Sequence, residues 1–326
     1  MLEQTVTIGD LVLDCGETLP AVEQRVTIYG QPAKDGTNVV FVAHALTGSS
    51  RVADWWPGIV GDGAPFDANR WCIVGINALG GCYGSTGPTS LASDGLPYGE
   101  RFPRLSVADL VRAATRALDA IGIDRVAFAI GASLGGMQAL QLALDAPRRV
   151  GTAVMIGAHD HQSAMAIALN SVQRDALAID PVRGLRLARK IAMLSYKSDD
   201  LLRARHDRRP DRRGQPRFDV EGYLEYQADL IENRMDPATY AALTHAMDSF
   251  DVRDLYSPRD GPSPKLIFVG ITSDWLFRAR DVKEAARRFA LRGFSARYLE
   301  LNSEHGHDAF LAEPHALRAL LEPLTI

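Results

Sequence analysis

The sequence predicts an α/β protein built on a doubly wound, mostly parallel sheet with a helical insertion. Three observations carry that expectation. Short runs that are apolar throughout alternate with amphipathic stretches, as in parallel strands covered on both faces. One run leads straight into a glycine-rich turn followed by a helix. From about His159 to Asp260 no core strand is evident, a stretch too long for one crossover, and the strand pattern then resumes.

In chain order, Val39-Val40-Phe41-Val42-Ala43 and Trp71-Cys72-Ile73-Val74-Gly75-Ile76 read as buried strands. A helix follows. Ser106 offers an N-cap, Asp109 favours the positive helix end, and Leu110, Val111, Ala114, Ala117, Leu118 and Ile121 repeat at helical spacing up to a C′ glycine, Gly122. Val126-Ala127-Phe128-Ala129-Ile130 and Thr152-Ala153-Val154-Met155-Ile156 are the third and fourth strands, with a helix from Met137 to about Leu144 between them. Lys265-Leu266-Ile267-Phe268-Val269 and Ala296-Arg297-Tyr298-Leu299-Glu300-Leu301 close the series. Strand–helix–strand order implies right-handed crossovers. The expected division is a core of residues 1–158 and 261–326, with 159–260 as a helical lid over the carboxyl ends of the strands.

Composition bounds the function. Of 326 residues, 46% are hydrophobic and 23% charged, which excludes a mostly disordered chain. The formal net charge of −4, from 36 basic and 40 acidic residues, argues against a nucleic-acid partner. Three cysteines make no disulfide framework and suit a reducing compartment. No apolar run reaches the roughly 18–20 residues of a membrane span, and Met1-Leu2-Glu3-Gln4-Thr5 does not open a signal peptide, so a cytoplasmic protein is expected.

The third strand runs into Gly131-Ala132-Ser133-Leu134-Gly135-Gly136. This is G-x-S-x-G between a strand and a helix, the setting in which the motif holds a nucleophilic serine. The serine needs a strained backbone and an exposed oxygen, side chains at the flanks would clash, and the helix dipole points at the site. The bland reading is a glycine turn with an incidental serine. The triad order Ser, acid, His then directs attention downstream. Asp274 lies just past the fifth strand, and both His305 and His307 lie on the loop after the last. Asp248, Asp251 and Glu304 are rival acids. Oxyanion donors are expected from the Leu134 N–H and from the loop His44-Ala45-Leu46-Thr47-Gly48, with Leu46 the best candidate. Such donors are worth about 3–4 kcal/mol each on removal. No clustered metal ligands and no dinucleotide or Walker fingerprint are evident, so no metal or bound cofactor is expected.

Several further segments resemble the homoserine O-acetyltransferases of the α/β-hydrolase superfamily. They are His44 to Gly48, Trp55-Trp56-Pro57-Gly58, and the run Asn77-Ala78-Leu79-Gly80-Gly81-Cys82-Tyr83-Gly84-Ser85-Thr86-Gly87-Pro88. Tyr223-Leu224-Glu225-Tyr226-Gln227, Thr244 to Asp248, Ser273-Asp274-Trp275-Leu276 and Gly306-His307-Asp308-Ala309-Phe310-Leu311 follow in family order. The resemblance implies an α/β-hydrolase fold with a lid, and a triad of Ser133, Asp274 and His307. It implies Asp308 on the substrate ammonium, a lid arginine at Arg205 or Arg203, and Tyr226 or Tyr223 near the site. It implies a homodimer through the lid. Succinyl-transferring relatives resemble the chain but carry Arg at the Tyr83 position, where it would pair with the succinyl carboxylate; Tyr83 therefore points to acetyl. Cys82 reads as a small buried residue. The chain departs from the pattern at Ala108, at Leu134 after the nucleophile, at Lys197 within Tyr196-Lys197-Ser198, and at His206 after the lid arginine.

The implied activity is a ping-pong transfer of acetyl from acetyl-CoA, a co-substrate, to the L-homoserine hydroxyl through an acyl-serine. Serine O-acetyltransfer, O-succinyltransfer, a carboxylesterase or thioesterase, and a non-enzymatic scaffold are the alternatives. Residues 203–217, with seven arginines against two aspartates, read as a solvated loop or as an attractor of CoA phosphates.

Overall fold

The computed structural model describes residues 1–253 and 263–325. Its main sheet has eight strands in the order β1-β4-β6-β5-β7-β8-β9-β10. The strands are β1 (Leu2–Thr7), β4 (Glu23–Tyr29), β5 (Val39–Ala43), β6 (Cys72–Ile76), β7 (Val126–Ala132), β8 (Val150–Ile156), β9 (Lys265–Ile271) and β10 (Ala296–Leu301). β2 (Leu11–Val12) and β3 (Thr18–Leu19) form a separate small ladder. Pairings from β6 through β10 are parallel; β1 and β4 run antiparallel at one edge.

The six expected strands are all present, and the sheet is mostly parallel as predicted. Strands β1 to β4 were not legible as apolar runs. Their sequences, LEQTVT and EQRVTIY among them, mix polar with apolar residues; β1 is the edge strand, and β4 lies between it and β6. In β4 the polar Gln24 and Thr27 are fully buried, and Thr27 hydrogen-bonds Ser50 at 2.8 Å. In contrast, every residue of β5 and β6 is buried, and one face of the sheet packs on Val39, Phe41, Val74, Ala129 and Leu140.

The short α1 (Val52–Trp55) lies between β5 and β6, and α2 (Val107–Ala120) runs between β6 and β7. Ser106 Oγ accepts from Asp109 N at 3.0 Å, and Asp109 Oδ2 accepts from Ser106 N at 2.9 Å. The expected N-cap is thus a reciprocal capping box, worth about 1 kcal/mol. Gly122, at φ 77°, stands just past the helix end. The helix expected from Met137 instead begins three residues earlier, as α3 (Leu134–Asp145), directly after Ser133.

Among the described residues, five helices lie between β8 and β9: α4 (Ala164–Ile179), α5 (Pro181–Tyr196), α6 (Asp199–Arg205), α7 (Asp219–Glu232) and α8 (Pro237–Asp248). The two chain segments that join them to the sheet meet each other. Gln162 N donates to Phe250 O, and Val252 N to Asp160 O, both at 2.8 Å. The expected boundary at residues 260 and 261 lies outside the described residues. After β9 come α9 (Ala279–Leu291) and, beyond β10, α10 (Ala309–Ala312) and α11 (Pro314–Leu321). No helix among the described residues is long and apolar enough to cross a membrane.

Candidate active site

β7 leads directly into Ser133, whose backbone has φ 54° and ψ −125°. Positive φ at a non-glycine residue costs on the order of 1–3 kcal/mol and persists only where the surroundings hold it. Here Ser133 N donates to Ile156 O at 2.9 Å, tying the turn to the end of β8. A Cβ on Gly131 would lie 2.7 Å from Ala43 O, and one on Gly135 only 2.1 Å from it. The two glycines are therefore set by the close approach of the turn to the end of β5.

Asp274 follows β9 directly. Its Oδ1 accepts from Leu276 N and Phe277 N, each at 2.9 Å, and its Oδ2 lies 2.7 Å from His307 Nδ1. Both side chains are buried. A carboxylate only accepts, so Nδ1 carries the hydrogen and the Nε2 lone pair is left free. His307 Nε2 is buried and has no hydrogen-bond partner among the described residues. Burial disfavours the imidazolium, but the Asp274 charge and hydrogen bond, helped by Asp308, hold the His307 pKa above its usual value of 6.5. Rings of Phe277 (5.1 Å) and Tyr196 (5.5 Å) flank the imidazole. A Cβ on Gly157 would touch it at 3.3 Å, so the imidazole sits against the same end of β8 that anchors Ser133.

The competing groups are engaged elsewhere. His305 lies 3.7 Å from Glu313. Asp248 accepts from Asn170 at 2.7 Å and Arg174 at 2.6 Å, and Asp251 pairs with Arg253; for Glu304 the described bond is to its backbone carbonyl, from Ser198 Oγ.

Leu46 and Ser133 line one small cavity with Gln162, Asn170, Tyr196 and Phe277. Its free space is about 20 Å³, enough for roughly one water-sized group. None of its lining residues is charged. The Leu134 N–H opens α3 and the Leu46 N–H lies in a turn closed by Gly48 N to Ala45 O; neither has a described acceptor. A residue the sequence reading passed over shapes that turn. His44 Nε2 accepts from Ala78 N at 2.9 Å, which places the ring hydrogen on Nδ1, donated to Ala45 O at 2.8 Å.

The expected substrate contacts fall out unevenly. Asp308 is next to His307, but its Oδ2 is 2.7 Å from Lys197 Nζ, so it faces a cation of the chain itself. Arg205 is exposed at the end of α6, and Arg203 pairs with Asp199 on the surface. Tyr226 is 45% exposed, and its alternative, Tyr223, meets the His206 ring at 4.9 Å in a tilted arrangement. Burial pushes the Tyr196 and Tyr223 phenols up to about 12, and the Asp308 charge adds to it in both. Tyr83 donates its hydroxyl to Arg234 O, away from the cavity beside Ser133. Cys82 Sγ meets the same carbonyl. Of the seven arginines in 203–217, Arg203, Arg212 and Arg217 are in ion pairs and Arg208 covers the Phe218 ring. Arg205, Arg209 and Arg213 have no described side-chain partner.

One cluster resembles a metal site in composition. His159, Asp160 and His161 bring ligand atoms within 4.8 Å of one another. However, Arg288 donates to both Asp160 oxygens, at 2.9 and 2.8 Å. The cluster is an ion pair joining the start of the insertion to α9, and a guanidinium already holds the place of a cation. Burial raises the Asp160 carboxyl, but His161 and Arg288 outweigh it and hold the pKa at about 2.

Comparison with known proteins places the chain. A family profile described as alpha/beta hydrolase fold matches residues 38–314. A homoserine O-succinyltransferase of Halothiobacillus neapolitanus is 39% identical over 92% of this chain and 83% of its own length. A homoserine O-acetyltransferase of Nocardia farcinica is 37% identical over 97% and 90%. The crystal structure of homoserine O-acetyltransferase from Bacillus anthracis shares the fold with a TM-score of 0.90, covering 99% of this chain and 97% of that one at 18% identity.

Proposed function

The chain belongs to the homoserine O-acyltransferase family of α/β-hydrolases, and is thus an acyltransferase; within that family we propose that it moves an acetyl group from acetyl-CoA to the side-chain hydroxyl of L-homoserine. The observation that carries the choice of acetyl is the lining of the cavity beside Ser133, which includes no cation. A succinyl group would bring a distal carboxylate there, which needs a positive partner when buried. Tyr83, standing where succinyl-transferring relatives resemble the chain but carry Arg, supports the same choice.

In the proposed mechanism His307 Nε2 takes the Ser133 proton while Asp274 holds the tautomer. Ser133 Oγ attacks the thioester carbon, with the Leu46 and Leu134 N–H groups on the oxyanion. His307 returns the proton to the departing CoA thiolate, leaving acetyl-Ser133. The homoserine hydroxyl then attacks, its proton passing to His307 and back to Ser133 as the ester leaves. No metal or bound cofactor takes part. Transfer outruns hydrolysis because helices α4, α5 and α8 cover the cavity and limit water.

Arg205, Arg209 and Arg213 are free to draw in the CoA phosphates. Met165, Val172, Ile179, Val182, Leu187 and Leu194 are exposed apolar residues on α4 and α5, and support a homodimer through these helices. The product ester suits methionine biosynthesis in the cytoplasm. The test is thiol release by the purified protein with acetyl-CoA or succinyl-CoA, against homoserine or serine. We expect acetyl-CoA with homoserine to be fastest by about tenfold or more, since one missing methylene is worth about 1–3 kcal/mol. Faster turnover with succinyl-CoA overturns the donor, and thioester hydrolysis that outruns transfer favours an esterase.

A further inference from the structure

The run Gly80-Gly81-Cys82-Tyr83-Gly84 takes no part in the triad, yet it meets the insertion at Arg234, in the joint between α7 and α8. Tyr83 donates its hydroxyl to Arg234 O, Cys82 Sγ lies 3.7 Å from the same oxygen, and Arg234 Nη2 donates to Thr47 O at 3.1 Å. Arg234 thus holds the residue next to Leu46 directly. It also reaches Leu46 through the chain behind Tyr83. Asn77 Nδ2 donates to Tyr83 O, and the neighbouring Ala78 N donates to His44 Nε2 at 2.9 Å. His44 Nδ1 and Gly48 N both donate to Ala45 O at 2.8 Å. Ala45 O and the Leu46 N–H belong to one trans peptide, which holds them on opposite sides. Fixing Ala45 O therefore aims the Leu46 N–H.

The insertion has to shift during turnover. The cavity beside Ser133 has about 20 Å³ of free space, one water-sized place, and an acetyl group needs more. Elsewhere the insertion is held to the sheet by ion pairs, Arg288 with Asp160 at its start and Lys197 with Asp308 after α5. The α7–α8 joint has no ion pair to the sheet side among the described residues. Its hydrogen bonds there run through Arg234, an exposed residue, and each such bond is individually modest. This joint is therefore the most readily released of the three.

We propose that Tyr83 and Arg234 are positioning residues for acyl transfer: they latch the α7–α8 joint onto the Leu46 turn, so that this oxyanion donor is aimed only when the insertion is closed. Release of the latch admits the acyl donor, and its return re-forms the turn. Closure and donor geometry are then one event, and an open site that water can reach is a poor catalyst of thioester hydrolysis.

The proposal rests on the acyltransferase reading, and its test separates the two. Tyr83→Phe, Arg234→Met, the double variant and Arg234→Lys are compared with wild type in the burst of thiol from acetyl-CoA alone, and then with L-homoserine present. We expect the burst rate at saturating acetyl-CoA to fall about fivefold in each single variant, the range for one hydrogen bond, with the half-saturating concentration unchanged. The double variant should lose less than the product of the two effects, because both bonds serve one latch. Arg234→Lys keeps a donor and should recover most of the rate. The acid limb of the pH profile should stay in place, since the triad is untouched. Burst rates within about twofold of wild type in both single variants overturn the proposal, being less than one hydrogen bond is worth. A double variant that multiplies the two effects overturns it too, since the bonds would then act independently. So does a shifted acid limb, because the loss would come through His307. A wild type that shows the burst but passes no acetyl to homoserine refutes the acyltransferase reading instead, and the latch is still judged by the burst.

Discussion

Replacing Asp274 with Asn keeps the shape of the site and reverses one proton. In the native protein Oδ1 accepts two backbone hydrogen bonds, from Leu276 N and Phe277 N, and Oδ2 accepts from His307 Nδ1. An asparagine has one acceptor oxygen. The two fixed N–H groups require it at the Oδ1 place, because the opposite orientation would set an NH₂ against two donors and forfeit about 1 kcal/mol for each bond. The NH₂ therefore faces Nδ1, which must become the acceptor, and the ring hydrogen moves to Nε2. With no lone pair at Nε2, His307 cannot take the Ser133 proton. The same tautomer reversal in serine-protease triads costs about 10⁴ in kcat, or about 5 kcal/mol of barrier. Acetyl-CoA thiol release should fall by that amount while the unfolding midpoint stays near wild type. The pH profile adds a second check. The base must be neutral, so activity falls as pH drops through the His307 pKa, which lies above 6.5. Removing the Asp274 charge lowers that pKa, so the acid limb of the residual activity should move to lower pH. Activity within tenfold of wild type, or an acid limb that stays in place, would refute the assignment of Asp274 as the group that sets this tautomer.

Two other substitutions probe the join between insertion and sheet. Arg288→Met removes the bidentate partner of Asp160, whose side chain is only 1% exposed, and leaves a buried charge with His161 at 2.9 Å and His159 at 3.8 Å. Urea unfolding should show a loss of about 3 kcal/mol, the low end for a broken buried pair because Arg288 is itself 29% exposed; a change under about 1 kcal/mol would contradict it. His159→Phe tests an acid-labile spot. His159 is buried with both ring nitrogens unpartnered, and burial, then His161, pull its pKa down to about 4. The unfolded chain, near 6.5, binds the proton first, so this stability is complete above pH 6.5 and is lost as pH falls towards 4. Phenylalanine, in the place where His159 meets Phe277 edge-on at 5.4 Å, should reduce the difference in unfolding free energy between pH 7 and pH 5 by on the order of 2 kcal/mol. An unchanged difference would mean that His159 is not the group that titrates.

Much of the fold was legible in the sequence because its signals are local. The runs at 39–43, 72–76 and 126–130 are apolar on both faces because helices cover both faces of the sheet. Ser106 and Asp109 satisfy each other within one turn. Gly131 and Gly135 are written into the chain because an added Cβ would strike Ala43 O. The antiparallel edge was not legible, since β1 has no fully buried residue and β4 buries the polar Gln24 and Thr27 on its two faces, which gives neither an apolar run nor a clean alternation. The start of α3 was placed late, because Leu134, Gly135 and Gly136 have no periodicity to mark a helix.

Sequence order alone put Asp274 and His307 on loops after successive strands, with Ser133 before the insertion and both of them after it. It named the residue types that nucleophilic acyl transfer needs, since a triad is recognised by chemistry and order. Residue order left two histidines open and only the resemblance favoured His307, which tertiary structure sets against Asp274; tertiary structure alone decided that Asp308 meets Lys197, 111 residues away. It alone joined Asp160 to Arg288 across 128 residues, and turned His44 into the anchor of the Leu46 turn. The reason is one of range. A cap, a strand or a tight turn is satisfied by neighbours along the chain, so its pattern is printed there. A buried charge is satisfied by whichever opposite charge the packing brings within hydrogen-bond distance, and no spacing in the sequence records that choice.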